Sequence, residues 1–285
     1  RKKDKSLAAP ARALINSRVC EGCGDCSVQS NCISIEPLDT PFGRKRMINQ
    51  SSCNTDMSCL KGFCPSFVEI EGAKPAKPDT LSPEHELELF APLDPAAPAP
   101  LAGDSFNVLF AGIGGSGVLT VGALLGAAAL VDRKVSNVLD FTGLAQKNGA
   151  VLSQVRISNR ADGFHASRIG PGAADLLIGA DLLYSASNDV AVRLSPLRSA
   201  AVVNADLTPT SAVIRDRDAE LPAAEIARRV QLRCMPEGCH TVNANALTIA
   251  LFGDSTAAHV LMLRFAWQKG LVPVSREAIE RANVE

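Results

Sequence analysis

The stretch Phe106-Asn-Val-Leu-Phe-Ala-Gly-Ile-Gly-Gly-Ser-Gly-Val-Leu-Thr-Val-Gly-Ala-Leu-Leu-Gly-Ala-Ala-Ala-Leu-Val131 decides the fold class. Phe106 to Ile113 has the apolar character and length of a buried strand, and Val118 to Val131 is rich in Ala and Leu, as a buried helix is. Between them, Gly112-Ile-Gly114-Gly115-Ser-Gly117 fits the pattern G-x-G-x-x-G in a strand–turn–helix context. Ser105 to Val131 carries no charged side chain, is long enough to span a bilayer, and contains Gly122-x-x-x-Gly126. Its internal glycines and the flanking Asp104 and Asp132 favour a strand, a glycine turn and a helix inside a water-soluble domain, with no membrane span. The glycine loop itself has two readings. It seats a phosphate or pyrophosphate on amides at the helix start, with Asp140 falling where a ribose-binding acid would stand. Or it is a tight turn that lets strand and helix pack closely with no ligand.

Downstream the pattern repeats. Ala150–Ile157 alternates like a strand, and Ala174–Ile178 and Ala201–Val203 read as short buried strands. Helical spacing fits Asn188–Leu197, Ala223–Arg233, Ala244–Leu251, Ser255–Gln268 and Ser275–Ala282. Strands alternating with helices predict a doubly wound, mostly parallel α/β domain over residues 105–285. His85, His165, His240 and His259 share no spacing and read as surface or core-edge groups. Cys234, Cys239 and His240 offer zinc ligands, but buried or free thiols are the favoured reading.

Upstream, residues 73–104 form a tether in which Pro75, Pro78, Pro83, Pro92, Pro95, Pro98 and Pro100 alternate with Ala, interrupted by a short helical turn at Glu84–Phe90. Each proline removes a backbone donor and sets φ, so the segment reads as extended chain. The 285 residues suit two domains, and with 46% hydrophobic and 21% charged residues a sizeable core can form. A net charge of −1 lacks the basic face a nucleic-acid binder needs, and 4% aromatic content gives no platform for stacking bases. No secretory signal precedes Cys20, which predicts a cytoplasmic setting with reduced thiols that bind metal.

Nine cysteines are present, and seven lie between Cys20 and Cys64 in a small module over residues 18–72, behind a basic segment at 1–17. Cys20-Glu-Gly-Cys23-Gly-Asp-Cys26 brings three thiols close only if the chain curls around a common centre, which Gly22 and Gly24 make easy. One zinc does not need three cysteines this close, whereas a 4Fe–4S cubane presents several irons at adjacent corners. Its distant fourth ligand is commonly a Cys before Pro, as in Cys64-Pro65. Cys20, Cys23, Cys26 and Cys64 are therefore the ligands expected for a first 4Fe–4S cluster. Cys32, Cys53 and Cys59 remain for a second, one ligand short. A 3Fe–4S cluster, a 4Fe–4S cluster with another ligand type and no second cluster all stay open, as does a zinc loop in place of the whole arrangement. Ile33–Pro37 and Arg46–Ile48 read as a hairpin turning at Pro41–Gly43, with Arg44, Lys45 and Arg46 as a basic tip. Such a tip draws in an acidic redox partner or is simply a solvated hairpin end.

The run from Cys20 to Cys32, then Phe42–Arg46, Gln50–Cys53 and Gly62–Phe67, resembles the ferredoxin segment of the fused indolepyruvate ferredoxin oxidoreductases. Gly112–Thr120, Thr142–Gly149, Gly253-Asp254 and Ala266–Pro273 are similar to the gamma region of the same enzymes. The resemblance covers all but the tether and roughly the first fifteen residues. It implies a ferredoxin-like domain followed by a gamma-type α/β domain. It also implies oxidative decarboxylation of arylpyruvates with CoA, giving aryl-acetyl-CoA, CO2 and reduced ferredoxin. Thiamine diphosphate and magnesium sit on other domains of such enzymes, and clusters carry the electrons out. The gamma region there is a structural and interface domain, which tilts the glycine loop toward a packing turn or a weak contact with CoA or a neighbouring domain.

One departure shapes these expectations. No Gly-Asp-Gly thiamine motif occurs, and Gly253-Asp254-Ser255 does not supply one. With Arg at position 1, the chain reads as a fragment or truncated product that holds the electron exit and the gamma-type domain but no catalytic residue. Partners implied are ferredoxin, thiamine-binding domains or subunits, and further copies in an oligomer. The competing readings are an NAD(P)- or flavin-linked reductase fed through Gly112, Gly114, Gly115 and Gly117, and a zinc-bearing scaffold.

Overall fold

A computed structural model describes residues 11–72, 78, 82, 84, 85, 88, 96–101, 103–143, 149–164, 166–207, 216 and 222–282. Most of the expected tether, much of the helical turn at Glu84–Phe90, His165 and the middle of the Thr142–Gly149 motif lie outside these residues. The chain divides into two compact units, one built by the chain before residue 78 and one by residues 78–208 and 222–285.

The first unit contains two small antiparallel ladders. The strand β1 (Ala11–Ile15) pairs with β4 (Phe67–Glu71), from Ala11 opposite Glu71 to Ile15 opposite Phe67. Residues 11–15, set before the cysteine module in the sequence reading, thus form a strand against the module's last one. Their small inward residues, Ala11 and Ala13, gave no strand signal. The expected hairpin is present as β2 (Ile35–Thr40) and β3 (Gly43–Ile48), with Thr40 opposite Gly43 across a two-residue turn. Between the ladders run the short helix α1 (Asp25–Ser30) and a 3-10 turn at Ser58–Lys61. The buried apolar core is three residues, Ala13, Ile35 and Ile48. Around them pack Cys26, Cys32, Cys53 and Cys59 together with Ile15, Met57, Leu60 and Phe67. An apolar core this small does not hold a fold of this size by itself, so the module needs another staple.

The second unit is a six-stranded sheet in the order β10-β9-β8-β5-β7-β6. Its strands are β5 (Phe106–Ile113), β6 (Val135–Thr142), β7 (Ala150–Ser158), β8 (Leu176–Gly179), β9 (Ala200–Asn204) and β10 (Cys239–Val242). β5, β8, β9 and β10 are parallel neighbours, and β7 runs antiparallel to both β5 and β6. Alternate residues feed two cores. Val108, Phe110, Leu176, Ile178 and Val202 enter one. Leu109, Ala111, Leu177, Ala201 and Val203 enter the other. A sheet apolar on both faces must be covered on both, which the doubly wound arrangement does. The first face receives α2 (Val118–Val131), α7 (Ala258–Gln268) and α8 (Arg276–Ala282); the second receives the short α3 (Leu182–Ser185) and α4 (Asn188–Ala191), and α5 (Ala223–Gln231). A further helix, α6 (Ala244–Phe252), follows β10.

Two expectations change here. The helix over Asn188–Leu197 stops at Ala191, and β10 was not anticipated because only Val242 of its four residues is a strongly apolar strand former. The Gly122-x-x-x-Gly126 spacing serves helix-on-sheet packing. A methyl at Gly122 would collide with the Ser153 hydroxyl of β7, and one at Gly126 would lie 2.7 Å from Val138 of β6. Among the described residues, no helix is long and apolar enough to cross a membrane.

Candidate metal centre

Cys20, Cys23 and Cys26 are carried by the loop that leads into α1. Gly22 makes the loop possible in two ways: its φ is +75°, and a side chain there would run into the Arg44 carbonyl of β3. Cys20 is buried, Cys26 half-buried, and Cys23 and Cys64 exposed. Burial raises the pKa of the Cys26 thiol, and the neighbouring Cys23 adds to that shift while Arg46 opposes it. Cys64 lies in hydrogen-bond contact with the Ser66 hydroxyl at 2.9 Å.

The second set converges on the 3-10 turn. Burial pushes the Cys59 thiol up to about 11, and the proximity of Cys32 and Cys53 contributes to that rise. Both halves use the same local device to present a sulfur. The Gly22 amide donates to Cys20 Sγ at 3.4 Å, and the Thr55 amide donates to Cys53 Sγ at 3.4 Å. Hydrogen bonds to cluster sulfurs are one of the levers by which a protein sets a reduction potential. Backbone strain gathers in the same segment. Of the non-glycine residues at positive φ, Asn31, Thr55 and Met57 adjoin Cys32, Cys53 and Cys59. Such conformations cost about 1–3 kcal/mol each and persist where surrounding structure enforces them.

Among the described residues, no three His, Cys, Asp or Glu side chains converge closely enough to hold a single metal ion. A cubane takes its ligands at separate corners, and the structure brings Cys23 near Cys26, and Cys32 and Cys53 near Cys59. The donor set is all thiol, and the shared core position of four of the cysteines fits an iron–sulfur group. Arg46 departs from its expected place on a solvated tip. It points inward with 2% of its surface exposed, and its Nε has no hydrogen-bond partner. Period-two alternation along β3 sends Arg46 and Ile48 the same way, a signal present in the sequence but masked by the neighbouring Arg44 and Lys45.

In the second unit the glycine loop closes on itself. The Ser116 amide and hydroxyl both donate to the Ile113 carbonyl, and the Gly114 amide donates to the Gly149 carbonyl at 2.8 Å. Gly117, at φ +75°, carries the His259 imidazole where a side chain would begin. Burial lowers the pKa of His259, so this ring is a neutral packing group. Asp140 is exposed on β6, and β7 lies between that strand and β5. In the nucleotide-binding arrangement the acid-bearing strand directly follows and neighbours the first, so Asp140 stands a strand too far away. Gly112 and Gly117 are closely packed, by Ser116 with Val118 and by His259, whereas a side chain at Gly115 would meet open space. His240 lies on the face of β10 opposite Cys239, edge-on to Phe265 with ring centroids 6.4 Å apart.

With this geometry in hand, comparisons with known proteins place the second unit. Residues 107–283 match the family model described as pyruvate ferredoxin/flavodoxin oxidoreductase. The chain is similar to indolepyruvate oxidoreductase subunit IorB of Methanothermobacter thermautotrophicus, 28% identical over 165 residues that make up 56% of this chain and 74% of the relative. The same subunit of Pyrococcus horikoshii is 33% identical over 73 residues, 26% of this chain and 35% of the relative. Among solved structures, the gamma subunit of a keto/oxoacid ferredoxin oxidoreductase from Geobacter sulfurreducens is similar at 20% identity and a TM-score of 0.42, covering 63% of this chain and 85% of that one. Both IorB relatives fall in the class that the gamma-type motifs resemble. The family match takes in every strand and helix of the doubly wound sheet, so this chain belongs to the pyruvate ferredoxin/flavodoxin oxidoreductase family.

Proposed function

We propose that the chain is the electron-exit and gamma-type portion of an indolepyruvate-type 2-oxoacid:ferredoxin oxidoreductase. The observation that carries this reading is the first unit: seven thiols, four of them packed on an apolar core of three residues, in one chain with a domain of the oxidoreductase family. Cys20, Cys23, Cys26 and Cys64 would hold a 4Fe–4S cluster, and Cys32, Cys53 and Cys59 a second one. Bound there, the clusters supply one-electron steps between a two-electron oxidation and a ferredoxin acceptor.

The chain's own residues set the conditions for that transfer. The Gly22 and Thr55 amides donate to the sulfurs of Cys20 and Cys53 and orient them. Arg46 places a buried positive charge beside Cys26, which favours the reduced, more negative state of the first site. Arylpyruvate and CoA are assigned as substrates of the whole enzyme because the similar proteins are named indolepyruvate oxidoreductase subunits. Thiamine diphosphate and magnesium are assigned to partner domains or subunits. The reading places the protein in the cytoplasm, where thiols stay reduced.

Anaerobic iron and acid-labile sulfide analysis, with EPR of the dithionite-reduced protein, tests the proposal. Iron and sulfide at cluster stoichiometry with a reduced 4Fe–4S signal are expected. Stoichiometric zinc with no iron would overturn it.

A further inference from the structure

The second unit holds two thiols that the candidate metal centre does not use. Cys234 lies just beyond α5, and Cys239 opens β10. Between them Met235-Pro-Glu-Gly238 makes a tight turn, closed by the Gly238 amide donating to the Met235 carbonyl at 2.9 Å. Proline takes the second position and Glu237, at φ 58°, the third, the conformations a type II turn demands. Cys234 and Cys239 are therefore the pair immediately outside a closed turn. The two thiols meet across this turn within hydrogen-bond reach of each other, the proximity that S–S bond formation needs.

Both ends of the turn are anchored to β9. The Met235 amide donates to the Ser199 carbonyl at 2.8 Å, and the Ala201 amide donates to the Gly238 carbonyl at 2.8 Å. The two thiols face the same apolar cluster as Ile226 and Val230. They also differ in setting. Cys234 is 5% exposed and donates to the Val230 carbonyl at 3.4 Å, whereas Cys239 is half-buried. A hydrogen bond between the thiols, helped by burial, raises the pKa of Cys234, and the same bond lowers that of Cys239. His240 faces the other side of the sheet, and among the described residues no third ligand joins the pair.

We propose that Cys234 and Cys239 form a reversible dithiol–disulfide couple, in which Cys239 meets a small hydroperoxide and the buried Cys234 resolves the product. The Cys239 sulfur attacks the outer peroxide oxygen, the O–O bond breaks, and the departing alkoxide or hydroxide leaves as alcohol or water after taking a proton. Cys239 is thereby oxidised by two electrons to the sulfenic acid and the peroxide is reduced. The Cys234 sulfur then displaces that hydroxyl, which leaves as water with the Cys234 proton as the S–S bond forms. An external dithiol returns two electrons and two protons and restores both thiols.

The test uses the full chain, kept anaerobic and exposed to a slight excess of hydrogen peroxide before alkylation with iodoacetamide. Trypsin cuts after Arg233 and Arg264, which isolates this pair in one peptide away from the other seven cysteines. The expected peptide is unalkylated and two hydrogens lighter than the reduced form, and dithiothreitol restores alkylation at both positions. In Cys234→Ser, dimedone is expected to label Cys239, while in Cys239→Ser it leaves Cys234 unlabelled. A wild-type peptide that stays alkylated at both sites, or passes straight to sulfinic acid at Cys239, would overturn the proposal. So would dimedone labelling of Cys234 in Cys239→Ser. The wild-type mapping decides the question even if a serine variant does not fold.

Discussion

Single residues carry much of what distinguishes this chain, and three of them make separable predictions. Gly117 combines a positive φ with the His259 ring lying where a side chain would start. In Gly117→Ala, left-handed backbone strain of about 1–2 kcal/mol adds to overpacking of about 1–3 kcal/mol, so a loss of roughly 2–5 kcal/mol is expected. Urea unfolding measures it, and a loss below half a kcal/mol would show that His259 moves aside freely. Glu237 is the opposite case, an L-residue held at φ 58° where glycine is at ease. Glu237→Gly should raise the urea midpoint by about 0.5–1 kcal/mol of stability; a lower midpoint would mean that the turn is not under strain. Arg46 is buried beside Cys26 with its Nε unpartnered. If Cys20, Cys23, Cys26 and Cys64 hold the proposed cluster, Arg46→Met should lower its reduction potential with iron content unchanged, because a positive charge favouring the reduced state would be gone. Voltammetry reads the shift, and an unchanged or raised potential contradicts that role.

At the scale of elements, the turn after α2 locks the start of α8. Asp132 accepts hydrogen bonds from the Ser275 amide and hydroxyl, both at 2.6 Å, and Lys134 stands 3.5 Å away. Ser275 in turn accepts from the Ala278 amide at 3.1 Å, capping α8. Burial works to raise the Asp132 pKa, but the Ser275 bonds and the Lys134 charge outweigh it, and the net shift is downward. A carboxyl with a depressed folded value stabilises fully above its unfolded pKa and loses that contribution as pH falls through the folded one. Asp132→Asn should therefore cost about 1–3 kcal/mol at neutral pH, the worth of hydrogen bonds to a charged group. The gap to wild type should close in acid, below the ordinary aspartate range. A gap that stays constant down to acid pH would show that the charge contributes nothing. The sheet shows a related lesson in direction. β7 reads as a strand from its alternation, but nothing in Ala150–Ser158 announces that it runs antiparallel between β5 and β6. That orientation follows from how short a connection joins β6 to β7, and it moves Asp140 away from the glycine loop.

For the whole molecule, the two units differ in what holds them. The second has a two-sided apolar core, while the apolar cluster of the first, among the described residues, is Ala13, Ile35 and Ile48 with Cys26, Cys32, Cys53 and Cys59 packed against them. If the proposed clusters staple the first unit, removing iron with a chelator should abolish one thermal transition and leave the helix-rich unfolding of the second unit at its original temperature, because metal binding and folding are coupled in such modules. Calorimetry with far-UV circular dichroism distinguishes the two transitions. Survival of both after iron loss would mean that the cysteine module folds on its apolar core alone.

The glycine turn between apolar strand and helix, the alternation of later elements and the crowded cysteines were legible in the chain alone, because each is a local pattern of period, spacing or residue type. Those patterns determined the α/β class and most of the helices. Tertiary structure decided the rest. It drew Ala11–Ile15 into a ladder with Phe67–Glu71, turned Arg46 inward, set His259 on Gly117 and stood Cys234 against Cys239. Each of these joins residues that sequence spacing leaves independent or ambiguous, and burial of apolar surface with pairing of backbone groups, not local preference, chooses between the alternatives.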